Sequence, residues 1–332
     1  MACIDEVPYV LRISPRLVIE GLMTNQPTPY KVSVTYTSSK RGARSATEAT
    51  GVSEAQVSIS DDLGNTVKLI QGKPGEYLTA DSAFVGVPGR NYTLSIRLSD
   101  GKQYTSRPEK LLPVPGIDQL YYEVNDQLKN IEWAGIYVYV DIQDPAETAD
   151  YYRWLATGYS MRPSTGVCCP WSRPPETCAK CYTQCWMRTD NLAANTFSDE
   201  LVNGYRIRQP VFISPIRMRG MHLVEVSQYS LTKEAYRFWE RYEEQRIRTG
   251  SILDPLPEPI EGNVYNVNEQ NDVALGYFGA SSVYRKRITT DPFAIDGDRV
   301  LYYEQLFMRE GDCRMAWPGS EYDAGRVDEW QK

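Results

Sequence analysis

Six cysteines carry the clearest chemical pattern in this chain. They are Cys168, Cys169, Cys178, Cys181, Cys185 and Cys313. The Cys178-x2-Cys181 spacing could place two thiolates on one zinc ion. Zinc ribbons normally pair two such knuckles, however, and the other half of this cluster is a vicinal pair followed by prolines. The pattern therefore favours disulfides that pin a Pro-rich loop, and no metal or cofactor is predicted.

The number of cysteines constrains how they pair. The five between positions 168 and 185 cannot all pair among themselves, so three disulfides require Cys313 to join one member of the cluster. The individual pairs stay open. A seventh cysteine, Cys3, is then left over. It directly follows a small residue, Ala2, as the acylated cysteine of a bacterial lipoprotein does. We predict that Cys3 is lipidated, the alternative being an ordinary free thiol, and that the folded part lies outside the cytosol.

Catalytic patterns are sparse. His222 is the single histidine, and it falls in a predicted strand, where histidine is usually structural. The sequence has no nucleophile elbow, phosphate-binding loop or dinucleotide fingerprint. Its 43 acidic residues allow a glycosidase pair but select none. The net charge of −7 argues against a nucleic-acid surface. We expect a protein that is not an enzyme.

The aromatic residues favour a contact role instead. The chain has 24 tyrosines and seven tryptophans against seven phenylalanines, a bias toward rings with a polar edge. High strand propensity of these residues is the alternative explanation. Trp171, Tyr182 and Trp186 lie among the cysteines, so the crosslinked loop is predicted to be a preorganised recognition surface.

Short alternating segments predict that strands dominate the chain. In the N-terminal third they cover residues 17–24, 30–37, 55–60, 66–70 and 92–98. Asp/Gly turns at 61–65 and 99–102 separate them, as in a β-sandwich. A Pro/Gly break at 111–116 predicts the division of the chain. The predicted parts are an anchor and tether at 1–16, a sandwich at 17–112 and a larger β-rich domain at 117–332.

The second domain is predicted to hold strands and one clear helix. Strands are expected at 119–124, 136–142 and 151–160, and the helix at 233–248 with Thr232 as its N-cap. Ala235, Phe238 or Trp239, and Tyr242 recur at helical spacing. This aromatic face is predicted to pack on a core, the alternative being a ligand platform.

Several runs resemble a Bacteroidota lipoprotein family known as domain of unknown function 4249. They include residues 17–24, 55–66, 89–96 with 100–104, 114–118, 276–283 and 312–314. The resemblance implies an immunoglobulin-like or transthyretin-like sandwich in the first domain. It also implies an outer-membrane lipoprotein, often encoded near TonB-dependent transporters, with no established activity.

In such a lipoprotein, Asp5 and Glu6 resemble the acidic signal that exports lipoproteins to the outer face of the outer membrane. A solvated acidic start is the alternative. Ser82, in Asp81-Ser82-Ala83, resembles the O-glycosylation acceptor used in that phylum.

The resulting hypothesis is a non-enzymatic, surface-exposed outer-membrane lipoprotein. It would act as an accessory or ligand-capturing subunit of a TonB-dependent transporter, bound to the membrane through its lipid alone. The first alternative is a structural component of an outer-membrane assembly or surface layer. A carbohydrate-active enzyme is the distant alternative.

Overall fold

The computed structural model describes residues 14–27, 29–37, 49–80, 84–125, 135–165, 181–191, 193–216, 220–248, 259–291, 309–323 and 325–330. These residues are mainly β, which confirms the predicted class. They form two compact units. Residues up to Pro113 together with Ser230–Val283 belong to the first, and Val114–Tyr229 together with residues from Tyr284 onward belong to the second.

The first unit begins with strands β1 Leu17–Thr24, β2 Lys31–Tyr36, β3 Thr50–Gly51, β4 Gln56–Asp61, β5 Thr66–Gln71, β6 Glu76–Thr79, β7 Asn91–Arg97, β8 Gln103–Ser106 and β9 Glu109–Lys110. The second unit holds β10 Gln119–Asn125, β11 Gly135–Gln143, β12 Tyr151–Pro163, β13 Gln184–Asp190, β14 Thr196–Ser198, β15 Arg206–Pro215 and β16 His222–Leu231. The chain then returns with helix α1 Lys233–Ile247 and strands β17 Glu261–Asn266, β18 Val273–Leu275 and β19 Phe278–Ser281. Strand β20 Val283–Thr289, helix α2 Cys313–Ala316, strand β21 Ser320–Glu321 and helix α3 Arg326–Trp330 follow.

Nine strands of the first unit close into a barrel-like sheet. The order is β1-β18-β17-β8-β7-β4-β5-β6-β2, and β2 pairs back with β1. Strands β17 and β18 come from the returning segment, so residues 17–112 do not form the self-contained sandwich that the sequence predicts. The N-terminal segment of the first unit ends at Pro113, beside the predicted Pro/Gly break. Residues 230–283 also belong to the first unit, although the sequence predicts them in the domain at 117–332.

Local sequence explains the strands and their breaks. Residues of β7 alternate between buried and more exposed positions, with Tyr92, Leu94 and Ile96 in the core. Gly276 separates β18 from β19, which both pair in parallel with β1. Its φ is 81°, and a Cβ there would lie 2.3 Å from the carbonyl oxygen of Ile19. Only glycine can therefore let the chain pass so close to β1.

A buried carboxylate joins the returning segment to the N-terminal part of the first unit. Glu109, at the start of β9, is only 3% exposed. Its Oε1 accepts hydrogen bonds from the Tyr277 hydroxyl and from Asn263 Nδ2, and its Oε2 accepts one from Thr232 Oγ1 at 2.9 Å. Asn263 also exchanges two hydrogen bonds with the backbone of Phe278. One side chain of β9 thus holds β17, the residue before β19 and the start of α1.

Helix α1 agrees with its prediction at the N-terminus and differs in its packed face. Thr232 caps it by accepting a hydrogen bond from Ala235 N at 3.2 Å. Phe238 is the buried ring, and its centroid lies 4.9 Å from that of Tyr277. Trp239 is half-buried and Tyr242 is 42% exposed, so the apolar stripe that docks is narrower than the predicted aromatic face.

The second unit is built from two sheets around one core. Strands β10-β11-β15 form one sheet, and β20-β16-β12-β13-β21, with β14 on β12, form the other. Alternate residues of β11, β12 and β16 supply the core, including Val138, Trp154 and Val226. The indole N–H of Trp154 donates to Gln228 Oε1 at 2.8 Å, which satisfies the one polar atom of this ring in an apolar surrounding.

Glu109 should make the stability of the protein depend on pH. Burial raises its pKa from 4.5 to about 7, outweighing the three donors that favour the ionised form. Between these two values the folded state holds a proton that the unfolded state has lost. The contribution of Glu109 to the unfolding free energy is therefore full below about pH 4.5 and is lost as the pH rises to about 7.

The substitution Glu109→Gln keeps the shape of the side chain and removes its charge. When the pH is raised from 4.5 to 8, we expect the unfolding free energy of wild type to fall by about 1 to 3 kcal/mol more than that of the variant. Only wild type has the carboxyl group whose contribution is lost over this range. Urea unfolding at several pH values measures this difference. Glu20→Gln on the exposed side of β1 is the matched control. Parallel pH profiles of wild type and Glu109→Gln would contradict the assignment.

Candidate functional site

A disulfide organises the part of the second unit where the cysteines meet. Cys185 in β13 is bonded to Cys313 at the start of α2, with their Cα atoms 5.7 Å apart. Both side chains are fully buried. This bond joins Cys313 to the cluster, as the cysteine count predicts. Cys181 is also disulfide-bonded. Cys168, Cys169 and Cys178 lie outside the described residues, so the remaining pairs stay a prediction.

Beside this disulfide lies a cluster of partly exposed side chains, which we call the stapled face: Tyr182, Arg314, Met315 and Tyr322. The rings of Tyr182 and Tyr322 pack with centroids 3.7 Å apart. The Arg314 guanidinium lies over Tyr182, 4.5 Å from the ring centroid, a cation–π contact. Met315 is 82% exposed and Tyr322 42% exposed. The face therefore combines two aromatic rings, a cation and an exposed thioether.

Asp312 holds the stapled face in position. One carboxylate oxygen accepts from Arg314 Nε at 2.9 Å, and the other accepts from Arg314 at 2.9 Å and from Tyr182 N at 3.2 Å. The hydrogen bonds from the Arg314 side chain, followed by those from the backbone, hold the pKa of Asp312 well below its usual range. The N–H of Cys313 donates to the Tyr182 carbonyl at 2.8 Å. Ring, guanidinium and disulfide are thus mutually oriented before any partner binds.

The residues predicted as contacts fall into different places. Tyr182 is in the stapled face. Trp186 is 6% exposed, and its indole N–H donates to the Asp323 carbonyl at 3.2 Å, so it is a buried residue and not part of a contact surface. Trp171 lies outside the described residues. Arg314, Met315 and Tyr322 were not predicted, because the sequence places them more than 120 residues from the cysteine cluster. Their one sequence signal was Cys313, which the count required to join that cluster.

The single histidine is structural. His222 Nδ1 and Ser214 Oγ are hydrogen-bonded at 2.6 Å, a contact that a serine nucleophile would need. Both residues are buried, however, which leaves a substrate no access. Burial and the positive charge of Arg162 lower the pKa of His222 to about 3. The pair therefore stabilises the junction of β15 and β16.

The first unit carries a groove of about 760 Å³. Its lining mixes polar side chains from β4, β5, β7 and β8, among them Gln56, Lys68, Arg97 and Gln103, with apolar side chains from the same strands. Its one aromatic ring, Tyr104, is buried and donates to Asp272. A transporter accessory is expected to have an exposed concavity lined by aromatics, whereas a structural component needs no such cavity, and this groove lacks that aromatic character.

Four other predicted site residues, Cys3, Asp5, Glu6 and Ser82, lie outside the described residues. Among the residues that are described, no helix has both the length and the apolar character needed to cross a membrane.

Fold and site together define a mainly β protein of two units, with a disulfide-supported aromatic face. A family model described as a domain of unknown function, DUF4249, matches residues 4–287. The chain belongs to this family, which confirms the family membership predicted from the sequence. No curated protein matches.

The solved structures that are similar to this chain have low TM-scores and low sequence identities. A DUF4785 family protein from Legionella pneumophila is similar at 10% identity with a TM-score of 0.21, covering 64% of this chain and 52% of that one. A tetra-tandem repeat from the extending region of a large adhesion protein is similar at 13% identity with a TM-score of 0.19, covering 65% and 45%. The B domain of a biofilm-associated protein is similar at 8% identity with a TM-score of 0.17, covering 95% of each chain. The chain spans about half the length of the first two.

The Cys185–Cys313 bond should stabilise the second unit. It closes a loop with a sequence separation of 128 residues. We expect the double variant Cys185→Ala, Cys313→Ala to lose about 2 to 5 kcal/mol of unfolding free energy. Urea unfolding measures the loss, and non-reducing peptide mapping of wild type should yield the peptide that joins the two cysteines. Alkylation of both thiols in unreduced wild-type protein would contradict the bond.

Proposed function

We propose that this protein is a non-enzymatic lipoprotein of the outer membrane that contacts a TonB-dependent transporter through its stapled face. Cys3 carries the lipid, and Asp5 and Glu6 direct the protein to the cell surface. The family assignment supports the proposal, because the resemblance behind it implies a lipoprotein often encoded beside such transporters. Among the described residues, none forms a helix that could serve as a membrane anchor instead.

The observation that carries the proposal is the composition and order of the stapled face. Tyrosine, methionine and arginine are enriched in protein interfaces, and tyrosine and arginine dominate their binding energy. Here Arg314 and Tyr182 are oriented by Asp312 and by the adjacent disulfide. Side chains already held in place lose little conformational entropy on binding.

Two alternatives make different demands on the molecule. A carbohydrate-active enzyme needs two carboxyl groups facing the substrate across a cleft. The carboxylates that do converge, Asp144, Asp150 and Asp199, include two that are almost fully buried, which supports a role other than hydrolysis. A structural component of an outer-membrane assembly would use the same stapled face with a different partner. Identification of the partner distinguishes this alternative from the proposal.

Lipidation is tested by removing the thiol. With the native signal sequence present, we expect Cys3→Ala to move from the membrane fraction to the soluble fraction, because no acyl chain remains to partition into the bilayer. Fractionation followed by intact-mass measurement checks both the location and the lipid mass. If the variant stayed in the membrane and wild type carried no lipid, the anchor would lie elsewhere.

Contact through the stapled face is tested by the double variant Met315→Ser, Tyr322→Ala. We expect it to bind its partner at least about tenfold more weakly, as losses at interface hot spots do. Thermal stability should change little because Met315 is exposed and Tyr322 partly so. Leu201→Ser with Tyr205→Ala removes similar apolar area from side chains that are 97% and 71% exposed, and this control should bind normally.

The partner itself is identified by a photo-crosslinking amino acid at position 315 in intact membranes. A crosslink to a TonB-dependent barrel supports the proposal. A crosslink to another outer-membrane protein would favour the structural alternative, and equal binding by the test and control variants would remove the stapled face from the contact.

A further inference from the structure

Three aspartates meet at the ends of three strands in the second unit. Asp144 directly follows β11, Asp150 directly precedes β12, and Asp199 directly follows β14. The register of β12 and β14 pairs Tyr151 with Ser198, so the next residue outward on each strand, Asp150 and Asp199, is brought alongside the other. The N–H of Asp199 donates to the Asp150 carbonyl at 3.2 Å. Asp144, Asp150 and Asp199 each place a carboxylate oxygen within 4.8 Å of the other two.

Two of these carboxylates are oriented by donors. Asp144 accepts from the Tyr152 hydroxyl at 2.6 Å and from Gly204 N at 2.9 Å. Asp150 accepts from Thr148 Oγ1 at 2.6 Å. Gly204 has a φ of 78°, and a Cβ there would lie 2.7 Å from Ala146 Cβ, so glycine is needed for this approach. Carboxylates that ligate metals are typically hydrogen-bonded in this way by neighbouring groups.

Asp199 is the exception within the cluster. Its side chain is 0% exposed, and neither carboxylate oxygen has a hydrogen-bond partner. No ion pair of the described residues involves Asp144, Asp150 or Asp199. Burial of an unpaired carboxylate beside two others is strongly unfavourable unless a positive charge compensates it. The cluster therefore needs either a cation or a shared proton.

We propose that Asp144, Asp150 and Asp199 bind a divalent cation, and that the cation is Ca²⁺. The donors are all carboxylate oxygens, which favour hard cations over zinc or copper. Mg²⁺ usually keeps several waters and binds through one or two carboxylates, whereas Ca²⁺ accepts more protein oxygens. Three carboxylates within 4.8 Å of one another, two of them on almost fully buried residues, leave little room for such waters and favour Ca²⁺.

The bound ion would tie β11, β12 and β14 together at one end. The sequence predicted no metal site, because these aspartates are dispersed along the chain and their convergence depends on strand register. The inference is independent of the function proposed above, since it uses no residue of the stapled face.

The test uses the full chain purified in detergent after treatment with EGTA. Thermal unfolding is followed with EGTA, with CaCl2 and with MgCl2 at equal ionic strength. Ca²⁺ at about ten to one hundred times its dissociation constant should raise the ratio of folded to unfolded protein by about 10- to 100-fold and increase the Tm. Luminescence of Tb³⁺, a Ca²⁺ analogue, should be sensitised by Tyr152 and displaced by Ca²⁺.

Asp199→Asn removes one ligand charge, and its amide can donate to the neighbouring carboxylates, so the variant is expected to fold. It should lose the Ca²⁺-dependent rise in Tm and the Tb³⁺ signal. Asp150→Asn, at a half-buried position, is the second variant should the first not fold. Asp141→Asn is the matched control, because Asp141 lies on β11 and pairs with Arg206 outside the cluster; it should keep both responses.

Wild-type protein that shows neither response would overturn the site and leave a shared proton as the compensating charge. Equal stabilisation by Mg²⁺ would overturn the assignment to Ca²⁺. Loss of the response in Asp141→Asn as well as in Asp199→Asn would show that the effect comes from net charge and not from this cluster.

Discussion

The buried carboxylate of Glu109 is the interaction on which the architecture of the first unit depends. The barrel-like sheet closes only when β17 and β18 fill the gap between β1 and β8. These strands are separated from the N-terminal strands by more than 100 residues, so the chain loses considerable entropy in bringing them together. Glu109 receives donors from α1, β17 and the residue before β19. A single acceptor thus fixes three elements of the returning segment at once.

In the second unit, a disulfide attaches a segment that is remote in the sequence. The sheets of this unit have an extensive apolar core around Trp154, but the segment that carries α2 follows a long stretch of chain after β20. The bond between Cys185 and Cys313 attaches this segment to β13, where hydrogen bonds to Asp312 then order Arg314 and Tyr182. Covalent attachment and surface order are therefore linked. The stapled face exists because a short helix with little core of its own is held in place.

Polar groups in the second unit show how burial and hydrogen bonding together decide the chemistry of a side chain. Ser214 and His222 have the contact distance of a catalytic pair, yet burial deprives them of substrate and keeps the imidazole neutral. Asp312 is only 8% exposed, yet it stays ionised because Arg314 and backbone N–H groups donate to it. Asp199 is buried without any donor. An aspartate therefore orients the stapled face at position 312, whereas at position 199 its buried carboxylate lacks a compensating donor or cation.

Much of this organisation was determined by local sequence. Alternating residues and Asp/Gly turns predicted β1, β2, β4, β5 and β7 within one or two residues, because side-chain period and turn chemistry act over a few positions. Thr232 predicted the start of α1, the family was recognisable, and the cysteine count required Cys313 to join the cluster. The tertiary structure decided what depends on distant parts of the chain. It placed residues 230–283 in the first unit, buried Trp186, brought Arg314 and Tyr322 to Tyr182, and gathered Asp144, Asp150 and Asp199. None of these has a local signal, since strand pairing between remote segments is set by the burial and polar contacts of the whole core.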